Sequence, residues 1–554
     1  VTRHHSTTRR GIRTAFAAIA ATAALVLSGC AAGGTDSADD SEEMSSIVVA
    51  AAGIPTTWAH DSGAFATSKY DYLTLSQGFL VKNPYIPSDD GVTMLQDVSS
   101  FEGDLAESYE VSDDGLVYTF HLREDAVSAA GNPLTADDVL WTYERKFATP
   151  TSSVQFVNRP ILTDPATQIQ KVDDHTVTFT IEEAGYGFTL LSLLANSTGG
   201  IFDSVLLQEH ATDDDPYAVT WSDTNWDSNY GFGPYMVESV SGDTEFVMVA
   251  NPNWWGGTPA IERITFRAIA DPATRASALA TGEVQAAMAL RASESVDLVD
   301  NPDVAVPSGS WSNGLLMAPL MTDKAPFDDE LVRQAFAYAV PYEQIVDTVY
   351  VGRATVDHGI LDKTLPGYTD EGLPEYSYDP EEALALLEEA GLDEVAFTLT
   401  YASGTPDVAD AAIQIQSAAA DAGFDITLEE LPIAAFSSGR AESEYQAVLQ
   451  RDGAIVQAPS YEISLFTGEG ATTNYARWEN PEFYAAVDAA IEAGEPTTDE
   501  AGQAWAEAES ILLTEAPYVF IARPMANWAV AAELAGAQYR TDSTIDWSAV
   551  TPGE

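Results

Sequence analysis

One cysteine, Cys30, occurs in 554 residues. A thiolate is an intrinsically strong nucleophile, so a lone cysteine is first read as a reactive centre. A small buried hydrophobe is the plainer reading. Cys30 ends the apolar part of LVLSGCAAGG (25–34), outside any stretch with the pattern of a folded core, and neither reading suits that place. Other chemistry is sparse. Seven histidines show no metal-ligand spacing, so no metal and no cofactor are expected. The sequence holds no Gly-x-Ser-x-Gly, no His-Glu-x-x-His and no Gly-x-x-x-x-Gly-Lys-Ser/Thr. A nucleophile elbow, a zinc protease helix and a phosphate loop are therefore absent as motifs. Paired carboxylates stay open in a chain with 86 acids. Arg451 and Asp452 close the run QAVLQRD (446–452), which reads as a strand of an open sheet. Ligands gather beyond the carboxyl ends of such strands.

The flanks of Cys30 explain it. Residues 14–30 carry no charge and follow Arg3, Arg9, Arg10 and Arg13. The apolar stretch 15–27 is shorter than the about 20 residues that span a bilayer, and matches a secretory signal over residues 1–29. Leu-Ser-Gly-Cys (27–30) resembles the lipobox of bacterial lipoproteins. That resemblance implies acylation of Cys30, which then becomes the first mature residue. Serine cannot replace it, because the thiolate takes the lipid, and stable anchoring needs two signals such as two chains. Ordinary and twin-arginine secretion are equally compatible. Residues 31–46, AAGGTDSADDSEEMSS, bury too little to offset chain entropy, so 30–46 reads as a lipidated cysteine with a flexible acidic tether. The expected location is the outer face of the cytoplasmic membrane, held by lipid alone.

A net charge of −62 repels nucleic acid and anionic headgroups and favours solubility outside the cell. Hydrophobic content of 45% and 11 tryptophans suffice for real cores, and the length suggests two or more folded units. Without a second cysteine those cores hold by packing alone.

Alternation with period two predicts strands near 116–123 and 175–181. Between them Thr135-Ala-Asp-Asp138 opens a helix carrying Val139, Tyr143 and Phe147 at helical spacing. Further on, Asp379-Pro380-Glu381-Glu382 supplies an N-cap, a first-turn proline and acids at the positive helix end. Leu384, Leu387 and Ala390 line one face of that helix, and Gly391 stops it. Strand 395–402, helix 408–422, Gly423 and strand 425–431 then form a βαβ unit whose strands should be parallel, with 446–452 as a third strand.

Several colinear segments carry a resemblance. They are LAESYEVSDDGLVYTFHLRED (105–125), GNPLTADDVLWTYERKF (131–147), GFGPYMV (231–237), NPNWWGGTPAIERITF (251–266), LATGEVQAAM (279–288) and APFDDELVRQAFAYAVPYEQIV (325–346). From about residue 47 to 528 the chain resembles the extracytoplasmic solute-binding proteins of family 5, the peptide, nickel and oligosaccharide type that feeds ABC importers. The resemblance implies an α/β fold of the two-lobed periplasmic-binding-protein-like kind (type II, cluster C) with an extra α/β insert in lobe I. Lobe I would take residues 47–72, 195–290 and 515–554, the insert 73–194, and lobe II 291–514. It also implies a monomer that delivers its ligand to permease subunits in the membrane and converts nothing.

Peptide binders of this family hold an α-ammonium with a carboxylate in a segment resembling Gly-Trp-x-x-Asp-x-x-Asp-Pro. The matching stretch is RDGAIVQAPSYEISLF (451–466), where Pro459 keeps its place but Ala458 and Ile455 replace the acids. Arg451 and Asp452 are the charged candidates left. An oligosaccharide would instead use aromatic platforms and side-chain amides, for which Trp58, Trp311 and Asn313 are candidates, core packing and turn roles being the plainer readings. The expected ligand is a di- or oligopeptide, with an oligosaccharide as the alternative. A secreted hydrolase and a ligand-presenting lipoprotein without a permease are the rival classes.

Overall fold

The computed structural model describes residues 44–61, 67–88, 93–149, 161–307, 314–471 and 473–553. Cys30, Trp311 and Asn313 lie outside them. Strand Ser46–Ala51 has the near-continuous apolar character of a strand buried on both faces, and it runs parallel to Arg263–Ala268 and Ala286–Ala287. Around it a seven-stranded sheet is ordered Tyr235–Ser241, Glu245–Ala250, Arg263–Ala268, Ser46–Ala51, Ala286–Ala287, Ala529–Ala531, Val304–Ala305. The hairpin joining its first two strands turns at Gly242, whose φ of +60° suits glycine. Trp58, Tyr72, Phe246, Phe266 and Trp528 belong to the core on this sheet.

A separate α/β unit follows in the chain. Its antiparallel sheet runs Ala106–Val111, Val117–Leu122, Thr176–Thr180, Ile169–Asp173. The turn after the first strand uses Gly115 at φ +73°, as Asp113-Asp114-Gly115 suggests. Helix Ala136–Ala148 starts with the predicted capping box, in which the Thr135 N–H donates to Asp138 at 2.8 Å. Tyr143 packs edge-on to Phe179 at 5.5 Å, tying helix to sheet.

In the second half, strands Val395–Ala402 and Phe424–Leu431 are parallel, and helix Pro406–Ala419 crosses between them. Gly423 ends the crossover at φ +86°. The third predicted strand, 446–452, does not stay in this sheet. Ala447–Val448 pairs parallel with Leu399 and Thr400, and then Gln450–Asp452 pairs antiparallel with Leu315–Pro319. Buried Leu449, whose N–H donates to the Thr400 carbonyl, is the crossing point. A partner more than a hundred residues upstream decides this, and a local alternation cannot reveal it. The second sheet is ordered Ala354–Val356, Tyr518–Pro524, Leu315–Pro319, Gln450–Asp452.

Sheet membership also moves two expected limits. Val304–Ala305 pairs with Ala529–Ala531 in the seven-stranded sheet, so that unit extends past residue 290. Tyr518–Pro524 pairs with Leu315–Pro319 and Ala354–Val356, so the second unit extends past 514. The seven-stranded sheet holds Val304–Ala305 and Ala529–Ala531, and the second sheet holds Leu315–Pro319 and Tyr518–Pro524, so residues 525–528 lead from the second sheet to the first.

Among the described residues no helix is long and apolar enough to cross a membrane.

Candidate functional site

The register Leu316↔Arg451 and Leu315↔Asp452 puts two opposite charges on consecutive residues of an edge strand. Successive side chains of a strand face opposite ways, and their partners differ accordingly. Arg451 Nη1 donates to Asp407 Oδ2 at 3.0 Å, and Asp407 stands in the first turn of the crossover helix. The Tyr350 hydroxyl donates to the same oxygen at 3.2 Å. Burial works against the Arg451 charge, but Asp407 and Tyr350 hold its pKa above the usual value. The side chain keeps 46% of its surface, because it lines a crevice rather than a dry core.

Asp452 faces Arg440, with Oδ2 3.6 Å from Nη1, and accepts from the Gly453 N–H at 3.0 Å. Its side chain is 33% exposed. Burial raises its carboxyl, while Arg440, the Gly453 N–H and Tyr475 pull the other way. Tyr475, pushed up to about 12 by burial and then by Asp452, carries the Arg440 guanidinium 4.0 Å over its ring. Tyr70, from helix Thr67–Ser76, and Tyr461, from helix Pro459–Thr467, both lie in the field of Asp452. Elements from both halves of the chain therefore converge on this one strand.

On the Arg451 side the crevice opens into a cavity of about 90 Å³, walled by residues 288–290, Arg451, residues 525–528, Tyr539 and Ser543. One wall comes from the end of the seven-stranded sheet and the passage 525–528, the other from the second sheet. Arg353 fixes the passages from behind. Its Nε donates to Asn527 Oδ1 at 2.7 Å, and its Nη2 to the carbonyls of Pro307 at 3.0 Å and Ala526 at 3.3 Å. The Leu290 N–H donates to the Asn527 carbonyl at 2.8 Å.

Of the sequence candidates, Arg451 lines this crevice and Asp452 stands on the opposite face of the same strand. Trp58 does not. It is 8% exposed, edge-on to Tyr72 at 5.2 Å and to Phe246 at 5.9 Å, and its backbone N–H donates to Asp223 Oδ1 at 2.8 Å. That is a packing role inside the core, so the expected ligand platform is corrected here. Trp311 and Asn313 fall outside the described residues. Sequence reasoning missed Asp407, Arg353, Asn527, Trp528 and Tyr539. No periodicity marks them, since each reaches the crevice from a different, distant segment. No group of His, Cys, Asp and Glu among the described residues has the arrangement of a metal site.

Comparisons with known proteins place this arrangement. Residues 100–474 match the family described as "Bacterial extracellular solute-binding proteins, family 5 Middle". The chain is similar to the "Heme-binding protein A" of Haemophilus influenzae, 28% identical over 445 residues, covering 76% of this chain and 79% of that protein. It is also similar to the "Probable D,D-dipeptide-binding periplasmic protein DdpA" of Escherichia coli, 26% identical over 433 residues, with 76% and 78% covered. In structure it resembles the periplasmic binding protein DppA of Helicobacter pylori in complex with the peptide STSA. There the TM-score is 0.76 at 22% identity, over 92% of this chain and 99% of that one. The fold is thus the α/β fold of periplasmic binding proteins. The chain belongs to the family 5 bacterial extracellular solute-binding proteins, the substrate-binding components of ABC importers, which bind and deliver rather than catalyse.

Proposed function

We propose that this protein captures peptides of the di- and oligopeptide class between two lobes and passes them to membrane permease subunits. The observation that carries the reading is Arg451, a charged side chain that lines a cavity walled by the ends of two sheets, with Asp452 on the opposite face of the same strand. A peptide offers backbone and terminal groups that such a charged, partly exposed crevice can hold. The relatives support the class, since a D,D-dipeptide and the peptide STSA appear in their names. In this reading the seven-stranded sheet belongs to one lobe and the second sheet to the other, with residues 525–528 in the hinge. A ligand touching both walls favours the closed state by its differential affinity for that state over the open one. Retention at the outer membrane face by a lipidated Cys30 completes the proposal.

For the alternative, an oligosaccharide, Trp58 is packed in the core and offers no platform. The decisive measurement is calorimetry or native mass spectrometry of the purified protein against peptide and oligosaccharide panels. Peptides should bind with saturable heats and oligosaccharides should not. Uptake restricted to sugars overturns the peptide assignment.

A further inference from the structure

Helix Gly187–Leu194 is buried along its whole length. Its leucines and Phe188 belong to the core of the separate α/β unit built on the Ala106–Val111 sheet. Thr189, Ser192 and, just past the helix end, Asn196 recur at spacings of three and four, which puts them on one face. That polar face is covered by the segment between strand Gln450–Asp452 and helix Pro459–Thr467. The rungs run in opposite chain order. The Thr189 and Ser460 hydroxyls share a hydrogen bond at 2.6 Å, and the Ser192 hydroxyl donates to the Gln457 carbonyl at 3.4 Å. The Asn196 amide donates to the Ile455 carbonyl. Between the rungs, buried Ala454, Val456 and Ala458 rest on the core of the α/β unit. A second contact lies nearby, where buried Gly185 meets the end of helix Pro481–Glu492. A methyl group there would stand 2.0 Å from the Ile491 carbonyl oxygen, so backbone touches backbone with no side chain inserted across.

The same α/β unit is fastened to the side of the seven-stranded sheet by a contact of another kind. Arg145 and Asp61, both fully buried, pair there at 2.8 Å. Parting such a pair strands two charges and is strongly opposed. The seam along residues 455–460 has only neutral polar groups on its rungs. When it parts, each of them can exchange its partner for water at nearly balanced free energy. Two alanines and one valine expose little apolar surface, and the flat contact at Gly185 withdraws no side chain. This seam is built to separate and to close again.

From this geometry we infer that the ladder of Thr189, Ser192 and Asn196 on Ser460, Gln457 and Ile455 is a latch that holds the two lobes shut without a ligand. The inference rests on the two-lobe reading above. In it the α/β unit travels with the seven-stranded sheet, and residues 455–460 travel with the second sheet. The latch acts far from the Arg451 cavity in chemistry, since it offers nothing to a ligand and only biases closure. Apparent affinity scales with the closed fraction, so each rung lost weakens capture and speeds release.

The test is small-angle scattering of the exhaustively dialysed full protein, beside a crosslinking pair. A Cys30→Ser background leaves no other thiol, so Thr189→Cys with Ser460→Cys reports on the seam alone. The two hydroxyl oxygens are 2.6 Å apart, and little movement reaches the roughly 2.05 Å of a disulfide. Oxidation without ligand should close that bond, and the parent should scatter with the radius of gyration of the oxidised pair. Asn196→Asp keeps the oxygen that accepts from the Thr198 N–H at 3.2 Å, but sets an acceptor against the Ile455 carbonyl. It should widen the particle while thermal unfolding stays cooperative. In the crosslinking pair it should slow oxidation about 3–10-fold, the worth of one hydrogen bond. Thr189→Val should widen the particle too, and Thr189→Ser, which keeps the hydroxyl, should leave it at the parent radius. One radius for every variant, with unchanged oxidation rates, overturns the latch and makes the seam a fixed part of one body. A parent wider than the oxidised pair, or a pair that does not oxidise, also overturns it. None of these outcomes bears on peptide binding, which the calorimetric panel decides separately.

Discussion

At the scale of single residues, the interior carries more charge than composition suggests. Arg523 Nε donates to Asp357 at 2.7 Å, and its Nη1 lies 3.2 Å from Asp362. Glu462 and Glu509 lie in the same field, and each has one carboxylate oxygen buried without a partner. Four carboxylates around one guanidinium cannot all ionise cheaply. Burial first, and then Asp357, push Glu509 up to about 7, against the Leu361 and Ile360 N–H groups that favour its charge. Because the folded protein binds this proton more tightly than the unfolded chain, the group stabilises at low pH. That contribution is complete below about 4.5 and is lost as pH rises through about 7. Its full size is on the order of 3 kcal/mol. Glu509→Gln should therefore gain stability relative to the parent at about pH 8 and lose that advantage near pH 5, as chemical denaturation at the two pH values will show. A stability difference that does not change with pH would contradict the assignment. The bidentate Arg145–Asp61 pair, both side chains fully buried and 2.8 Å apart, is a second case. Neither cluster was legible in the sequence, since its members are scattered along the chain.

At the scale of elements, the local signals were legible where their causes are local. Asp379 accepts from the N–H groups of Glu381 and Glu382 at 3.1 and 3.0 Å, and Pro380 opens the helix Pro380–Glu389. Leu387 is buried, while Leu384 is 43% exposed, so the inward stripe is narrower than its spacing suggests. Asp379→Ala should cost about 1 kcal/mol, the usual worth of an N-cap, and leave ligand affinity unchanged. Equilibrium unfolding measures the first and calorimetry the second, and a loss beyond about 2 kcal/mol would mean that the carboxylate holds more than its own helix. The βαβ unit around Gly423 followed the same logic, because capping, turn and period are written within about thirty residues. The strand at 446–452 did not. Its alternation is continuous, yet its two halves pair with different sheets, and the break lies in the partner Leu315–Pro319.

At the scale of the whole molecule, two segments join the sheets, and Arg353 binds both through Pro307, Ala526 and Asn527. The proposed lipid anchor also belongs to this scale. Cys30→Ser should move the protein from the membrane fraction to the soluble one without changing its peptide affinity, and unchanged membrane retention would refute lipid anchoring. By itself the sequence determined the α/β character, the helix starts, the turns at Gly115 and Gly423, and the family, because capping, period and glycine conformation act over a few residues. It also named Arg451 and Asp452, since the end of a strand is a local position. Only the tertiary structure decided which strands share a sheet, that Trp58 is core, and that Arg451 meets Trp528 and Tyr539 across a cavity. Those outcomes depend on contacts between segments tens to hundreds of residues apart, and long-range pairing is set by the burial of whole faces rather than by any local pattern.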